Sequence, residues 1–217
     1  MWSSPGQSPK FIPGQFCRQL SAHLTSHCIS RRLSLNETLY ACGEENRNIY
    51  LIESGYLKML MLYQDARECL LDICTSGEII GESCLLGDER MEMVTAMTPC
   101  ELRSIPRAEF IDIVFKNKLV EECLRHLAAR LSEQRQIIAQ FVTADSERRL
   151  AATLLRLARK LGRQHGGGLL MINERITQVD LAQIIGTTRS RVGCFLKRFR
   201  EARLIETSSP SVLLVNE

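Results

Sequence analysis

No stretch of this 217-residue sequence approaches the ~20 consecutive apolar residues that a membrane span needs. It also lacks a Gly-x-Ser-x-Gly elbow, a His-Glu-x-x-His pair and a Cys-x-x-Cys pair. The triple glycine Gly166-Gly167-Gly168 has neither the lysine nor the serine of a phosphate-binding loop. Glu44 and Glu45 are adjacent, so on a strand they face opposite ways and make a poor acid–base pair. These absences argue against an enzyme. Met1–Phe16 has Ser, Pro and Gly but no basic opening followed by an apolar core. It reads as a loose leader and not as a secretory signal.

What is present is ordinary in bulk. Hydrophobic residues make up 45% and charged residues 24%, which fits a globular chain of one large domain or two modest ones. Nine cysteines are an odd number, and the chain is long enough to bury a core without disulfides. Cys69 and Cys74 bound an apolar run and Cys84 precedes Leu85. We read them as small buried hydrophobes in a reducing cytoplasm. The charge is unevenly spread. Residues 146–217 hold 13 Lys+Arg against 6 Asp+Glu, a net +7, whereas residues 1–145 carry a net −4. A basic C-terminal third on an acidic body points to a polyanionic partner or to a solvated basic face.

The hydrophobic pattern changes period three times. Phe16, Leu20 and Leu24 are four apart, which predicts a helix over 16–28. From about Ser34 to Ile105, short apolar segments alternate with turns: 49–52, 56–63, 69–73, 78–80, 94–97 and 101–105. The breaks are Gly43, Ser54-Gly55, Gln64-Asp65, Ser76-Gly77 and Gly87-Asp88. That rhythm predicts an antiparallel β barrel or sandwich, with no βαβ alternation. Pro106 opens a short helix over 107–115. A long helix follows to about Val142. Val120, Leu124, Leu127, Leu131, Gln134, Ile138 and Phe141 are spaced alternately four and three apart, a heptad seam with one polar entry. The seam fits a dimer contact better than packing within one domain, because it holds for about three heptads. Asp145-Ser146-Glu147 offers a cap and a boundary, and Leu150, Leu154, Leu157 and Leu161 line one face of the next helix. Gly162–Gly168 reads as a flexible loop.

The segment 176–205 carries the most information. Thr177 caps a helix to Ile185, Gly186 supplies a tight turn, and Thr187 or Thr188 caps a second helix to about Ala202. Ala182 lets the helices approach, and Val192 and Phe195 bury the inner face of the second. Its outer face holds Arg189, Ser190, Arg191, Lys197, Arg198 and Arg200. An arginine at the start of such a helix can bond guanine bidentately in the major groove. Lys197 and Arg198 suit phosphate, and Thr177, Gln178, Thr187 and Thr188 stand at the helix starts beside the same surface. Residues 204–207 and 212–215 flank Ser208-Ser209-Pro210-Ser211 as a hairpin wing.

Asp180-Leu-Ala-Gln-Ile-Ile-Gly-Thr-Thr-Arg-Ser-Arg-Val-Gly resembles the winged helix-turn-helix of the Crp/Fnr superfamily of bacterial transcription regulators. Gly77-Glu-Ile-Ile-Gly-Glu82 resembles the start of that family's phosphate-binding cassette. The resemblance covers nearly the whole chain after the leader. It implies an α+β architecture: an antiparallel, cyclic-nucleotide-binding-like β-roll, a long dimerisation helix, and a C-terminal winged helix-turn-helix. The corresponding divisions are a leader at 1–16, a β-roll sensing domain at 17–116, a dimerisation helix and hinge at 117–144, and a DNA-binding domain at 145–217. The function implied is that of a cytoplasmic homodimer that reads a pseudo-palindromic double-stranded operator and meets RNA polymerase if it activates, with no membrane partner. An effector would shift the hinge near Phe141–Ser146. Arg189 matches the family position that reads guanine, and Arg191 reads a base or holds phosphate. Ser190 stands where well-known members carry Glu, so the usual operator consensus does not carry over.

The cassette implies an effector pocket at Gly81, Glu82, Ser83, Arg90, Met91 and Gln134. Glu82 matches the ribose ligand of cAMP-binding members and Arg90 their phosphate ligand. Met91 replaces the second phosphate hydroxyl. Gln134 and Arg135 replace the hydroxyl pair that faces the purine, and Gln134 suits either a base edge or the seam. Three readings stand side by side: a cyclic nucleotide, another small anion, or a pocket without a ligand. Further alternatives keep the scaffold and change the sensor. Cys17, Cys28 and Cys42, with Cys100 and Cys123, offer cluster ligands, although the closely spaced N-terminal triad of the oxygen sensors is absent. His23, His27 and His126 offer haem ligands. Cys17 or Cys28 offers a redox thiol, and oxidation of Cys194 would block DNA. A cyclic-nucleotide-binding interaction module without DNA work is the alternative of another class. It has no need of Gly186, Arg189 or Arg191.

Overall fold

The computed structural model describes residues 14–62, 68–165, 169–172, 176–209 and 212–216. Most of the expected leader, the break at Gln64-Asp65, the triple glycine and the wing turn at Pro210-Ser211 lie outside the described residues. The chain divides into two compact units, one formed by Met1–Lys58 with Cys74–Arg135, the other by Met59–Ile73 with Gln136–Glu217.

In chain order, helix α1 (Gln15–Ala22) is followed by strands β1 (Ile29–Leu33), β2 (Thr38–Tyr40), β3 (Asn48–Ser54) and β4 (Tyr56–Leu62). After β5 (Glu68–Thr75) come β6 (Ile79–Ile80), a 3₁₀ turn (Glu82–Leu85), β7 (Met93–Ala96) and β8 (Cys100–Pro106). Helices α2 (Arg107–Lys116) and α3 (Val120–Thr143) close the region. Two antiparallel sheets form, ordered β1-β8-β3-β6 and β2-β7-β4-β5. Strand β3 shows why both layers are needed. Successive side chains on a strand point to opposite faces, and Ile49, Tyr50, Leu51 and Ile52 are all buried. Ile49 and Leu51 join a core with Phe16, Leu20, Ile105, Phe110 and Ile113. Tyr50, on the other face, stacks on Tyr40 of β2, ring centroids 6.0 Å apart.

Three expectations are corrected here. The first helix stops at Ala22, not Cys28: the His23 N–H already turns back to the Leu20 carbonyl, and Leu24 reaches the core from the turn beyond. Strand β1 precedes the expected start of the β region. Its Ile-Ser-Arg-Arg-Leu sequence has no alternation because it is a charged edge, with only Leu33 buried and Arg32 paired across the ladder to Glu101 at 3.0 Å. The loop after Gly162 holds a two-residue strand, β9 (Arg163–Gln164).

All nine cysteines are free; Cys17, Cys28, Cys74, Cys84, Cys100 and Cys123 are buried. Burial, with Glu78 nearby, pushes the Cys17 thiol up to about 12, so it is a poor nucleophile at neutral pH. Among the described residues no group of three or more His, Cys, Asp or Glu is arranged to hold a metal ion.

His126 of α3 is a core residue, its ring 5.4 Å from that of Phe16. Burial, then the Arg130 charge, lowers its pKa to about 4. The unfolded chain takes up this proton near 6.5 and the folded chain only near 4, so the stabilisation is complete above pH 6.5 and is lost as the pH falls toward 4. Between pH 7 and pH 5 the protein should lose about 2 kcal/mol from this group. Urea midpoints of wild type and His126→Leu at both pH values check it: the variant's loss should be smaller by that amount. Parallel losses in the two proteins would refute it.

The second unit carries α4 (Ser146–Leu161), β9, β10 (Leu169–Ile172), α5 (Gln178–Ile185), α6 (Arg189–Glu201), β11 (Ile205–Ser209) and β12 (Val212–Asn216). Asp145 caps α4 by accepting from the Arg148 N–H at 2.8 Å. Leu150, Leu154, Leu157 and Leu161 are buried, as their spacing predicts. The small sheet is ordered β11-β12-β10-β9, so the wing hairpin is extended by two strands.

Candidate functional site

The local chemistry of α5 and α6 follows directly from their sequence. Thr177 and Asp180 form a reciprocal capping box: the Asp180 N–H donates to Thr177 Oγ1 at 3.1 Å, and the Thr177 N–H donates to Asp180 Oδ2 at 2.8 Å. Gly186 ends α5 at φ 65°, a left-handed turn that favours glycine. Of the two candidate caps for α6 the structure uses Thr188, which accepts from the Arg191 N–H. The inner face of α6 buries Val192 and Phe195, and also Leu196 and Phe199.

The outer face is exposed throughout. Arg189, Ser190, Arg191, Lys197, Arg198 and Arg200 are all exposed, as is Cys194. By helical spacing Ser190, Cys194 and Lys197 lie opposite the buried stripe, while Arg189 and Arg200 flank it on one side and Arg191 and Arg198 on the other. The second flank is braced. Both guanidinium groups lie over the Phe195 ring, at 6.0 and 5.2 Å, and Arg198 donates to Glu147 Oε2 of α4 at 2.6 Å. Lys197 lies 3.9 Å from Glu201 one turn on. Gln178 is exposed and stands close to Gly193 of α6, Thr187 is half-buried, and Thr177 is occupied in its cap. Glu147 was not legible as a partner of α6, since 51 residues separate it from Arg198.

The cassette is assembled around a buried arginine. Gly81, at φ 81°, caps the 3₁₀ turn, and a Cβ there would meet the Arg90 guanidinium at 2.9 Å. Arg90 is 1% exposed and lies 4.3 Å over the Tyr40 ring. Its Nη1 donates to the Gly81 carbonyl at 2.6 Å, and to Ser83 Oγ at 3.4 Å. Its Nη2 donates to Asn46 Oδ1 at 3.0 Å, and also to the Asn48 carbonyl. Tyr40 and Ser83 both donate to the buried Glu92, at 3.0 and 3.2 Å. Burial, then Glu92, raises the Tyr40 pKa, so its hydroxyl stays protonated and donating. The guanidinium ends are thus held by the protein's own oxygens.

Glu82 and Arg90 therefore share one site, with Ser83 between Arg90 and Glu92. Two buried atoms in it have no hydrogen-bond partner, Arg90 Nε and Glu82 Oε2. Met91 turns to solvent, 66% exposed. Gln134 is exposed as well. The residue of α3 that meets the cassette is Arg130, one turn earlier: its Nη1 donates to the Ile79 carbonyl at 3.1 Å and its Nη2 lies 3.5 Å from Glu82 Oε1. Gln134, one turn further on, has no contact with the cassette among the described residues of one chain.

Along α3, Val120, Leu124, Leu131, Ile138 and Phe141 are exposed. Leu127 instead packs against the core, and Arg149 lies 4.9 Å over the Phe141 ring.

An antiparallel β-roll with a cassette turn, a long helix with an apolar stripe, and a winged helix-turn-helix together define a two-domain DNA-binding regulator. Comparison with known proteins agrees. Residues 30–117 match the cyclic nucleotide-binding domain and residues 148–217 the Crp-like helix-turn-helix domain. The chain is 31% identical over 179 residues to the CRP-like cAMP-activated global transcriptional regulator of Mycobacterium tuberculosis, covering 82% of this chain and 80% of that one. It is 28% identical over 196 residues to the cAMP-activated global transcriptional regulator CRP of Pasteurella multocida, covering 87% and 91%. The fold of FixK2 from Bradyrhizobium japonicum is similar at a TM-score of 0.76 and 17% identity, covering 88% of this chain and 93% of that one. The chain belongs to the Crp/Fnr family, and it is a transcription regulator of that type.

Proposed function

We propose that this regulator acts in the cytoplasm as a homodimer that binds a pseudo-palindromic operator through α6 of each copy. The observation that carries this reading is the exposed Arg189-Ser190-Arg191 at the start of α6, presented by the Gly186 turn and the Thr188 cap. A helix entering the major groove offers its N-terminal residues to base edges. Arg189 has no brace of the kind that holds Arg198, and it reads a base; Lys197 and Arg198 contact phosphate. Exposed apolar residues along α3 support pairing with a second copy, which would put the two α6 helices about one helical turn of DNA apart. RNA polymerase is the further partner if the regulator activates.

The cassette supports an effector that is a small anion carrying a hydroxyl, of which a cyclic nucleotide is one. Glu82 Oε2 and Arg90 Nε are the polar atoms left for it. Arg90 contributes more as the frame of the pocket than as its mouth. The haem and cluster readings have less support: His126 packs against Phe16 in the core, and among the described residues no group of three or more His, Cys, Asp or Glu is arranged to hold a metal ion.

The test is operator binding. With a cognate site found by selection from random DNA, Arg189→Ala should lose about 1–3 kcal/mol and relax preference at one base pair per half-site. Equal weakening on all sequences would make Arg189 a phosphate contact. Unchanged binding would remove Arg189 from the interface.

A further inference from the structure

Two cations of α4 converge on one carboxylate of β5. Asp72 is buried. Arg156 Nη1 lies 3.0 Å from its Oδ1, and Lys160 Nζ lies 2.9 Å from its Oδ2. Burial alone would push this carboxyl up, but Lys160 and Arg156 outweigh it and hold it below the usual carboxylate range. Asp72 is therefore ionised at neutral pH. Arg156 and Lys160 are four residues apart and share a helix face, so both reach the same group without strain.

The contact is not isolated. Alternate residues of a strand share a face, which puts Glu68, Leu70 and Asp72 together on β5. Leu70 is buried, and Glu68 Oε2 accepts from Gln183 Nε2 of α5 at 3.1 Å. One face of β5 is thus tied to two helices of the helix-turn-helix domain. Consistently, Met59–Ile73 belongs to the same compact unit as Gln136–Glu217, although in sequence it lies inside the β-roll.

We propose that β5 is a strap of the DNA-reading unit: Asp72 locks it to α4, so that β5 and the helix-turn-helix move as one body and a displacement of β5 is delivered to α4 and α5. A fully ionised, doubly paired carboxylate makes a firm lock, because loss of one partner leaves buried charge uncompensated. With both ends of the lock in one unit, the strap exists whatever the DNA target is. It goes beyond the DNA-binding reading and does not depend on it.

Hydrogen exchange on the full chain tests it. In Asp72→Asn, amides of 69–73 and of 153–160 should exchange faster together, by about a hundredfold, the scale set by breaking a buried ion pair. Amides of Ile49–Ile52 in β3 should stay protected. The charge-swapped double variant Asp72→Lys with Lys160→Asp should recover most of the protection. Should Asp72→Asn not fold, Lys160→Met gives the same paired readout more mildly. Faster exchange confined to β5, uniform acceleration that includes β3, or no change would each overturn the strap.

Discussion

Arg90→Ala should lower folding stability by about 3–5 kcal/mol, with no effector present. The Gly81 and Asn48 carbonyls and Asn46 Oδ1 all accept from this one guanidinium. Truncation leaves these buried acceptors short of a donor and opens a cavity against the Tyr40 ring. For a chain of this size the melting temperature should fall by on the order of 10 °C. Arg90→Lys should recover little. One ammonium cannot reach in one geometry the separate acceptors that Nη1 and Nη2 of the planar guanidinium serve. The same experiment separates frame from ligand. A residue that only held an effector would leave the melting temperature of the free protein untouched and abolish only the ligand-induced rise. In wild type, cAMP or cGMP at 100 times its dissociation constant should add about 2.7 kcal/mol if it occupies the cassette. No rise with any cyclic nucleotide would leave a different small molecule, the cysteines, or a pocket that needs no ligand.

The contrast between α6 and the cassette explains what the sequence could reveal. Caps, turns and apolar stripes are decided within a few residues. Thr177 and Gly186 stand where the sequence reads them, Thr188 is one of its two candidate caps, and only the answering half of the capping box, Asp180, was not read. The cassette is decided at a distance. Its motif is local, yet Arg90 takes its partners from Asn46 and Asn48, more than 40 residues earlier. Nothing in the spacing distinguishes an arginine that faces a ligand from one that faces carbonyls. The long helix fails in a third way. Helical phase is legible, but which turn meets the cassette depends on where the helix begins, and the Arg130 contact was not foreseen. Strand β1 and Asp72 were illegible for a shared reason. Charged residues at an edge, or a buried charge that finds partners on a helix 84 residues away, break the apolar pattern on which sequence reading relies.

Leu131→Glu combined with Ile138→Glu should convert the proposed homodimer to a monomer and weaken operator binding by about 10²–10⁴-fold. In a single chain Leu124, Leu131 and Ile138 are 62%, 52% and 61% exposed along α3. Burial of such a side chain contributes roughly 1.5–3 kcal/mol, and a two-fold axis counts each residue twice. On the proposed homodimer this burial offsets a large part of the association cost. Glutamates at two seam positions remove that burial and place like charges across the axis. Neither residue belongs to the buried core of the chain, so helix content and melting of the monomer should change little. Sedimentation equilibrium checks the first claim. Binding to full and half operators checks the second, because a monomer should bind both equally while wild type prefers the full site. A wild type that sediments as a monomer would sink the seam. A variant that stays dimeric would move the interface elsewhere, leaving the exposed leucines of α3 to another contact. The expected loss on DNA is large because, in the proposed homodimer, each α6 alone would read a short half-site and the second reading would be gained only while α3 held the two together.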